Sequence, residues 1–160
     1  MKRHHAILTA VVLSLNLGAA SAQDPEPQHA HASGHDDRVV LELTPTERAM
    51  ILEEMRLFLG GVGQLSGALG RQDMAAAAEA ASALGPKLAH EVPPALRAKL
   101  PQDFRQLGAS VHRDFAQIAL DANSLGDVSH SLSQLSATLQ KCVACHAAYQ
   151  IRTPAFNAKH

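Results

Sequence analysis

Aromatic side chains are scarce in this chain: tryptophan is absent, tyrosine occurs once and phenylalanine four times. Runs that combine β-branched with aromatic residues are few, so little of the sequence favours a pleated sheet. Charge of one sign is also lacking. Fourteen lysines and arginines meet 15 aspartates and glutamates, a formal net charge of −1. Without a basic cluster, nothing points to a nucleic acid or an anionic membrane as partner. Two cysteines are too few for a disulfide-dense scaffold. Beyond the first residues, no segment reaches the ~20 apolar residues of a membrane-spanning helix. Nor does a nucleophile–base pair or a paired carboxylate stand at a clear catalytic spacing, so the chain does not read as an enzyme in its own right.

Alanine and leucine are plentiful instead, a balance that predicts an all-α domain. The start is distinct. Met1-Lys2-Arg3-His4-His5 precedes an apolar stretch from Ala6 to Leu17, which closes on Ala19-Ala20-Ser21-Ala22. A basic start, a short apolar run and a small-residue end describe a secretory signal peptide, here residues 1–22, cleaved after Ala22. An uncleaved anchor is the weaker reading, because the run is short for a span. The mature protein is then exported, to the periplasm of a bacterium, and residues 23–160 suffice for one domain.

Residues 23–43 open with "QDPEPQHAHASGHDDR" and read as a flexible leader. His29, His31 and His35 beside Asp36 and Asp37 have the composition of a weak transition-metal site. A solvated tail is preferred, since a floppy segment must lose entropy to form such a site. Residues 44–152 form the folded domain, and 153–160 a tail. Thr44, Pro45 and Glu47 predict a capped helix start. That first helix runs to about Gly70, with Leu52, Met55, Leu59, Val62 and Leu69 as its apolar stripe, widened by Ile51, Phe58 and Leu65. A second helix covers about Gln72 to Ala89, with Met74, Ala77, Ala81, Leu84 and Leu88 on one side, bent or interrupted at Gly85-Pro86. The Pro-rich connection holds a short helical turn. A third helix spans about Pro101 to Asn123, on a stripe of Phe104, Leu107, Val111, Phe115 and Ile118. Gly126 ends it and Asp127 caps the fourth. On that last helix Val128, Leu132, Leu135, Leu139, Cys142, His146 and Tyr149 recur in alternating steps of four and three. This heptad seam predicts Cys142 and His146 on the inward face and Cys145 at its edge. Thr153-Pro154 is expected to end the helix. The predicted architecture is an antiparallel four-helix bundle, a fold that carries cofactors in its core.

The seam ends in Cys142-Val143-Ala144-Cys145-His146. C-x-x-C-H is the attachment signature of a c-type haem. Two thiols at that spacing form thioethers to the two vinyl groups of one haem, and the adjacent histidine reaches the iron as proximal ligand. Export fits, because such haem is attached outside the cytoplasm. A redox dithiol would need a βαβ context. A structural zinc would need more ligands nearby. A local disulfide would close a tiny loop and leave His146 unexplained. One covalent haem c is therefore the expected cofactor.

With "CVACHAAY" on the last helix and "ERAMILEEM" on the first, the chain resembles the cytochrome c′ group, the four-helix-bundle (class II) c-type cytochromes. The resemblance covers about residues 44–152. It implies that Cys142 and Cys145 hold the haem, that His146 is the proximal ligand, and that Arg48, near the start of the first helix, contacts a haem propionate. Members often carry a base directly after a tyrosine in this position. Here Tyr149 matches but Gln150 stands in place of the base, with Arg152 the nearest substitute. Two subtypes are implied. In one, an apolar residue of the first helix covers a five-coordinate iron that binds nitric oxide or other small gases. In the other, a methionine there is the sixth ligand of an electron carrier with redox partner proteins. Leu52, four after Arg48, suits the first, and Met55, one turn on, the second; thioether is a usual partner of histidine on electron-transfer haem. Met50 lies off the stripe, Met74 is further away, His112 offers bis-histidine ligation and His90 reads as surface. Phe58, Leu59, Phe104, Leu107 and Phe115 are candidate pocket walls or plain core. Members of the group are monomers or homodimers paired through their first two helices, and the alanine-rich "DMAAAAEAASA" suits either.

Overall fold

The computed structural model of the chain describes residues 36–89 and 92–154. The signal segment, His29, His31, His35 and His90 lie outside them. A short strand β1 (Val39–Glu42) comes first, then α1 (Pro45–Gly70), α2 (Met74–Ala83), α3 (Pro86–Ala89), α4 (Pro94–Lys99), α5 (Gln102–Leu125), α6 (Val128–Ala148) and a last strand β2 (Tyr149–Arg152). The described residues are thus mostly helical, as the composition predicts. The two strands are an addition to that picture.

Local chemistry accounts for the helix starts. Thr44 Oγ1 accepts from the Glu47 amide at 3.3 Å, and Glu47 Oε2 accepts from the Thr44 amide at 3.0 Å, a reciprocal cap ahead of Pro45. Glu47 also meets Lys99 Nζ at 2.6 Å, which ties α1 to α4 and draws the Glu47 carboxyl below its usual range. Asp73 caps α2 through the Ala76 amide at 3.0 Å, so this helix starts at Met74 rather than Gln72. Gly85-Pro86 breaks the expected second helix in two, as a proline at a first helical position does. Gly126, at φ 64, closes α5 in the left-handed region, and Asp127 caps α6 through the amides of Ser129 and His130.

Packing follows chain order: α1 lies on α2, α2 on α5, and α5 on α6, while α1 and α6 touch only sparingly. The alanines of α2 let it sit close to both neighbours, since Ala77, Ala78, Ala80 and Ala81 are all buried. Gly61 on α1 makes room for it. A Cβ there would stand 2.5 Å from the Leu84 side chain. The main core gathers Leu65, Leu69, Ala81, Leu84, Phe115 and Leu135. A second cluster holds Leu41, Leu43, Ile51, Leu96 and Leu100, with Phe104, Tyr149 and Ile151 against it.

Three expectations change. Residues 39–42, the end of the expected leader, are strand: β1 runs parallel to β2 with Val39 opposite Tyr149 and Glu42 opposite Arg152. The last helix stops at Ala148, because Tyr149 is already extended (φ −129°, ψ 148°) to join that pairing. The buried line of α6 is Ser131, Leu135 and Thr138, whereas Leu132, Leu139 and His146 are exposed. The seam drawn by hydrophobicity is thus rotated by one residue. Small hydroxyl side chains allow α5 a close approach, and Thr138 Oγ1 satisfies itself on the Gln134 carbonyl one turn back, at 3.0 Å.

Candidate functional site

The C-terminal turns of α6 bring the two thiols together. Cys142 and Cys145, three residues apart, are neighbours on one helix surface. Both are free and half-buried. Cys142 Sγ lies 3.8 Å from the Thr138 carbonyl oxygen. Lys141, beside it, pairs with Asp114 at 2.5 Å and fastens this end of α6 to α5. Burial pushes the Cys142 thiol above its ordinary pKa; burial, with Cys142 beside it, does the same for Cys145. Redox dithiols depend on a lowered thiol pKa, so this environment runs opposite to that chemistry. Burial thus favours the neutral thiol at both positions.

His146 is exposed rather than inward-facing. At a hundred degrees per residue it shares a flank of α6 with Leu132, Leu139 and Val143. All three apolar residues are exposed, Val143 at 63%. An imidazole therefore sits in an uncovered apolar stripe, one step from the two thiols. Two thiols, an accessible imidazole and an apolar bed are a donor set that fits a covalently attached haem. Among the described residues, no three His, Cys, Asp or Glu side chains gather at one point.

On α1, Leu52 and Met55 are half-buried and Leu59 is 74% exposed. These three lie along one flank of the helix. Met50 and Arg48 are exposed. No hydrogen bond or ion pair among the described residues joins Met55 or Arg48 to the motif on α6. Of the expected pocket walls, Phe115 is fully buried in the main core, with Phe58 against it at 5.7 Å between centroids. Phe104 packs edge-on to Tyr149 at 5.2 Å. Gln150 accepts from Arg152 Nε at 3.0 Å and donates to the Arg38 carbonyl at 3.3 Å.

His112 has a role that the sequence did not reveal. It is 4% exposed, with Nδ1 2.8 Å from the Leu84 carbonyl oxygen and Nε2 3.2 Å from Glu54 Oε1. The Phe58 ring lies 4.9 Å away. A carbonyl and a carboxylate only accept, so both ring nitrogens donate and the ring is an imidazolium. Both nitrogens are thus engaged within the protein, one on α1 and one on the turn after α2. Burial is the largest influence and opposes the charge, but the hydrogen bonds that the ring donates to Glu54 and to the Leu84 carbonyl, with the Glu54 charge, together outweigh it and raise the His112 pKa. Nothing local links residues 58 positions apart, so only the packing of α1 on α5 reveals the pair.

A pH dependence follows. A raised folded-state pKa gives stability that is complete below the unfolded value of about 6.5 and is lost as pH rises through the folded value. Urea unfolding followed by circular dichroism should give a lower midpoint at about pH 9 than at about pH 6. Glu54→Gln should flatten that difference; an unchanged slope in the variant would remove the pair as its cause.

Comparison with family models, with curated proteins and with solved structures finds no match to this chain.

Proposed function

We propose that the protein is an exported, periplasmic c-type cytochrome with one covalent haem, built on a bundle of α1, α2, α5 and α6, that carries single electrons between redox partner proteins. The observation that carries the reading is the end of α6: Cys142 and Cys145 as free neighbouring thiols, with His146 next to them in an uncovered apolar stripe. When bound, the haem supplies the one-electron couple. Cys142 and Cys145 anchor it through thioether bonds, and His146 offers a ring nitrogen as the proximal ligand. Leu132, Leu139 and Val143, all exposed, would shield the group from water. The α1 flank of Leu52, Met55 and Leu59 is half-buried to exposed, and α1 touches α6 only sparingly, which supports α1 as the second side of the haem site. Met55 is the distal ligand in this reading, and Arg48 the contact for a propionate.

A second reading is favoured by Leu52, half-buried on the same flank of α1 as Met55. With Leu52 as the lid, the iron keeps an open site and the protein binds nitric oxide or a similar gas.

The optical spectrum of the holoprotein, ferric and ferrous, with and without carbon monoxide, separates the two. A low-spin spectrum with a methionine–iron charge-transfer band, indifferent to carbon monoxide and lost in Met55→Ala, is the expected result. A high-spin spectrum that shifts with carbon monoxide would put the gas-binding reading first. Purified protein without haem would sink both.

A further inference from the structure

The residue proposed to hold the iron is itself held by a segment 108 residues earlier in the chain. Arg38 stands directly before β1. Its Nη1 donates to the carbonyl oxygen of His146 at 3.4 Å, and its own carbonyl accepts from Gln150 Nε2 at 3.3 Å. From there β1 pairs with β2 residue by residue, and the Leu43 amide closes the ladder on the Arg152 carbonyl at 3.0 Å. Leu41 and Leu43 are buried in the second core cluster. The position of Arg38 is thereby fixed by a ladder and a core.

Asp36 fixes the orientation of the guanidinium. Its Oδ1 accepts from Arg38 Nε at 2.9 Å and its Oδ2 from Nη2 at 2.7 Å, while the Arg38 amide adds a bond to Oδ1 at 3.2 Å. One edge of the fork is taken by the carboxylate, which leaves Nη1 for His146. The His146 carbonyl is one of the last four of α6, which have no partner within the helix and carry the negative end of its dipole. A cation there satisfies the carbonyl and steadies the turn that presents the imidazole.

We infer that Arg38, oriented by Asp36, is a positioning residue for His146, and that this ion pair sets the charge beside the ligand and so tunes the reduction potential of the haem. The inference rests on the haem reading above. Its electrostatic logic is direct. The ferric state carries one more positive charge than the ferrous. Losing the guanidinium removes the cation bonded to Asp36 and leaves only Arg152 acting on the carboxylate from further off, which favours the ferric state and lowers the potential. Losing the carboxylate leaves the guanidinium alone, which raises it. Both side chains are about two-fifths exposed, at 41% and 38%, so salt should shrink both shifts.

The test is a potentiometric titration of the haem-loaded wild type, Arg38→Ala, Arg38→Lys and Asp36→Asn, at low and at high salt. A lower potential in Arg38→Ala, a higher one in Asp36→Asn and a near-native one in Arg38→Lys are expected. Opposite signs are the signature of charge, because a merely loosened helix end would move both loss variants the same way. Haem-loaded variants with equal potentials, or with shifts of one sign, would overturn the inference while leaving the haem reading intact. A wild type without covalent haem would overturn both. Should Arg38→Ala fail to fold, Arg38→Gln, which removes the charge and keeps a hydrogen-bonding side chain, takes its place against Asp36→Asn.

Discussion

On the proposed reading, the double variant Cys142→Ser, Cys145→Ser should retain no covalent haem when expressed alongside the wild type in a haem-attaching periplasm. The measurement is the haem retained by the polypeptide after acid–acetone extraction, read as its pyridine haemochrome. In wild type the colour stays with the protein; in the double variant it leaves with the solvent. Each single variant keeps one anchor and retains a reduced fraction. The substitution removes only a sulfur's reactivity. Both thiols are free and half-buried, so no disulfide is lost and no large cavity is opened. Far-UV circular dichroism of the purified proteins before extraction should show the same helical fold in both, which separates loss of attachment from loss of fold. Haem retained by the double variant, or absent from the wild type, would refute the proposed anchors. His146→Ala is the complement. It should keep both thioethers and change the spectrum, because the proposed proximal ligand is gone.

Phe115→Ala should cost about 3–5 kcal/mol, the range for truncating a buried phenylalanine. In a domain of this size that is a fall of roughly 10–20 °C in the thermal midpoint. Phe115 is fully buried where α1, α2, α5 and α6 contribute Leu65, Ala81, Ile118 and Leu135 to one cluster. Phe58 leans against its ring. The loss combines transfer of the ring from the core with the cavity left behind, which four packed helices cannot readily close. Phe115→Leu, which keeps most of the volume, should cost less. Leu59→Ala is the control: at 74% exposure it should move stability by no more than about 0.5 kcal/mol. Thermal unfolding of the three variants decides the order. A Leu59 variant as damaging as the Phe115 variant would mean that the flank carrying Leu59 is covered, as a haem seated there would require, so apo and holo protein are compared side by side.

Helix starts and stops were legible wherever the signal is local. Thr44 with Glu47, Gly126 with Asp127 and the Gly85-Pro86 break each act within one turn of the chain, through hydrogen bonds or backbone angles that neighbours alone dictate. The core stripe of α5 was legible for the same reason: Val111, Phe115 and Ile118 follow the helical period and are buried. The thiols and the histidine were legible as a motif, since their chemistry depends on sequence spacing.

Other features depended on distant partners. The sequence by itself determined a helical chain, its caps, and a C-x-x-C-H motif on the last helix. Tertiary structure alone decided that α6 ends at Ala148, that Ser131 and Thr138 rather than Leu132 and Leu139 turn inward, and that His146 stays exposed. It also decided that His112 is an imidazolium bound to Glu54 and that Arg38 reaches His146. The physical reason is common to these cases. A cap or a period is settled by atoms within a few residues, whereas burial, charge pairing and strand addition are settled by whichever surface the fold brings near, and β1 lies more than a hundred residues from the strand it completes.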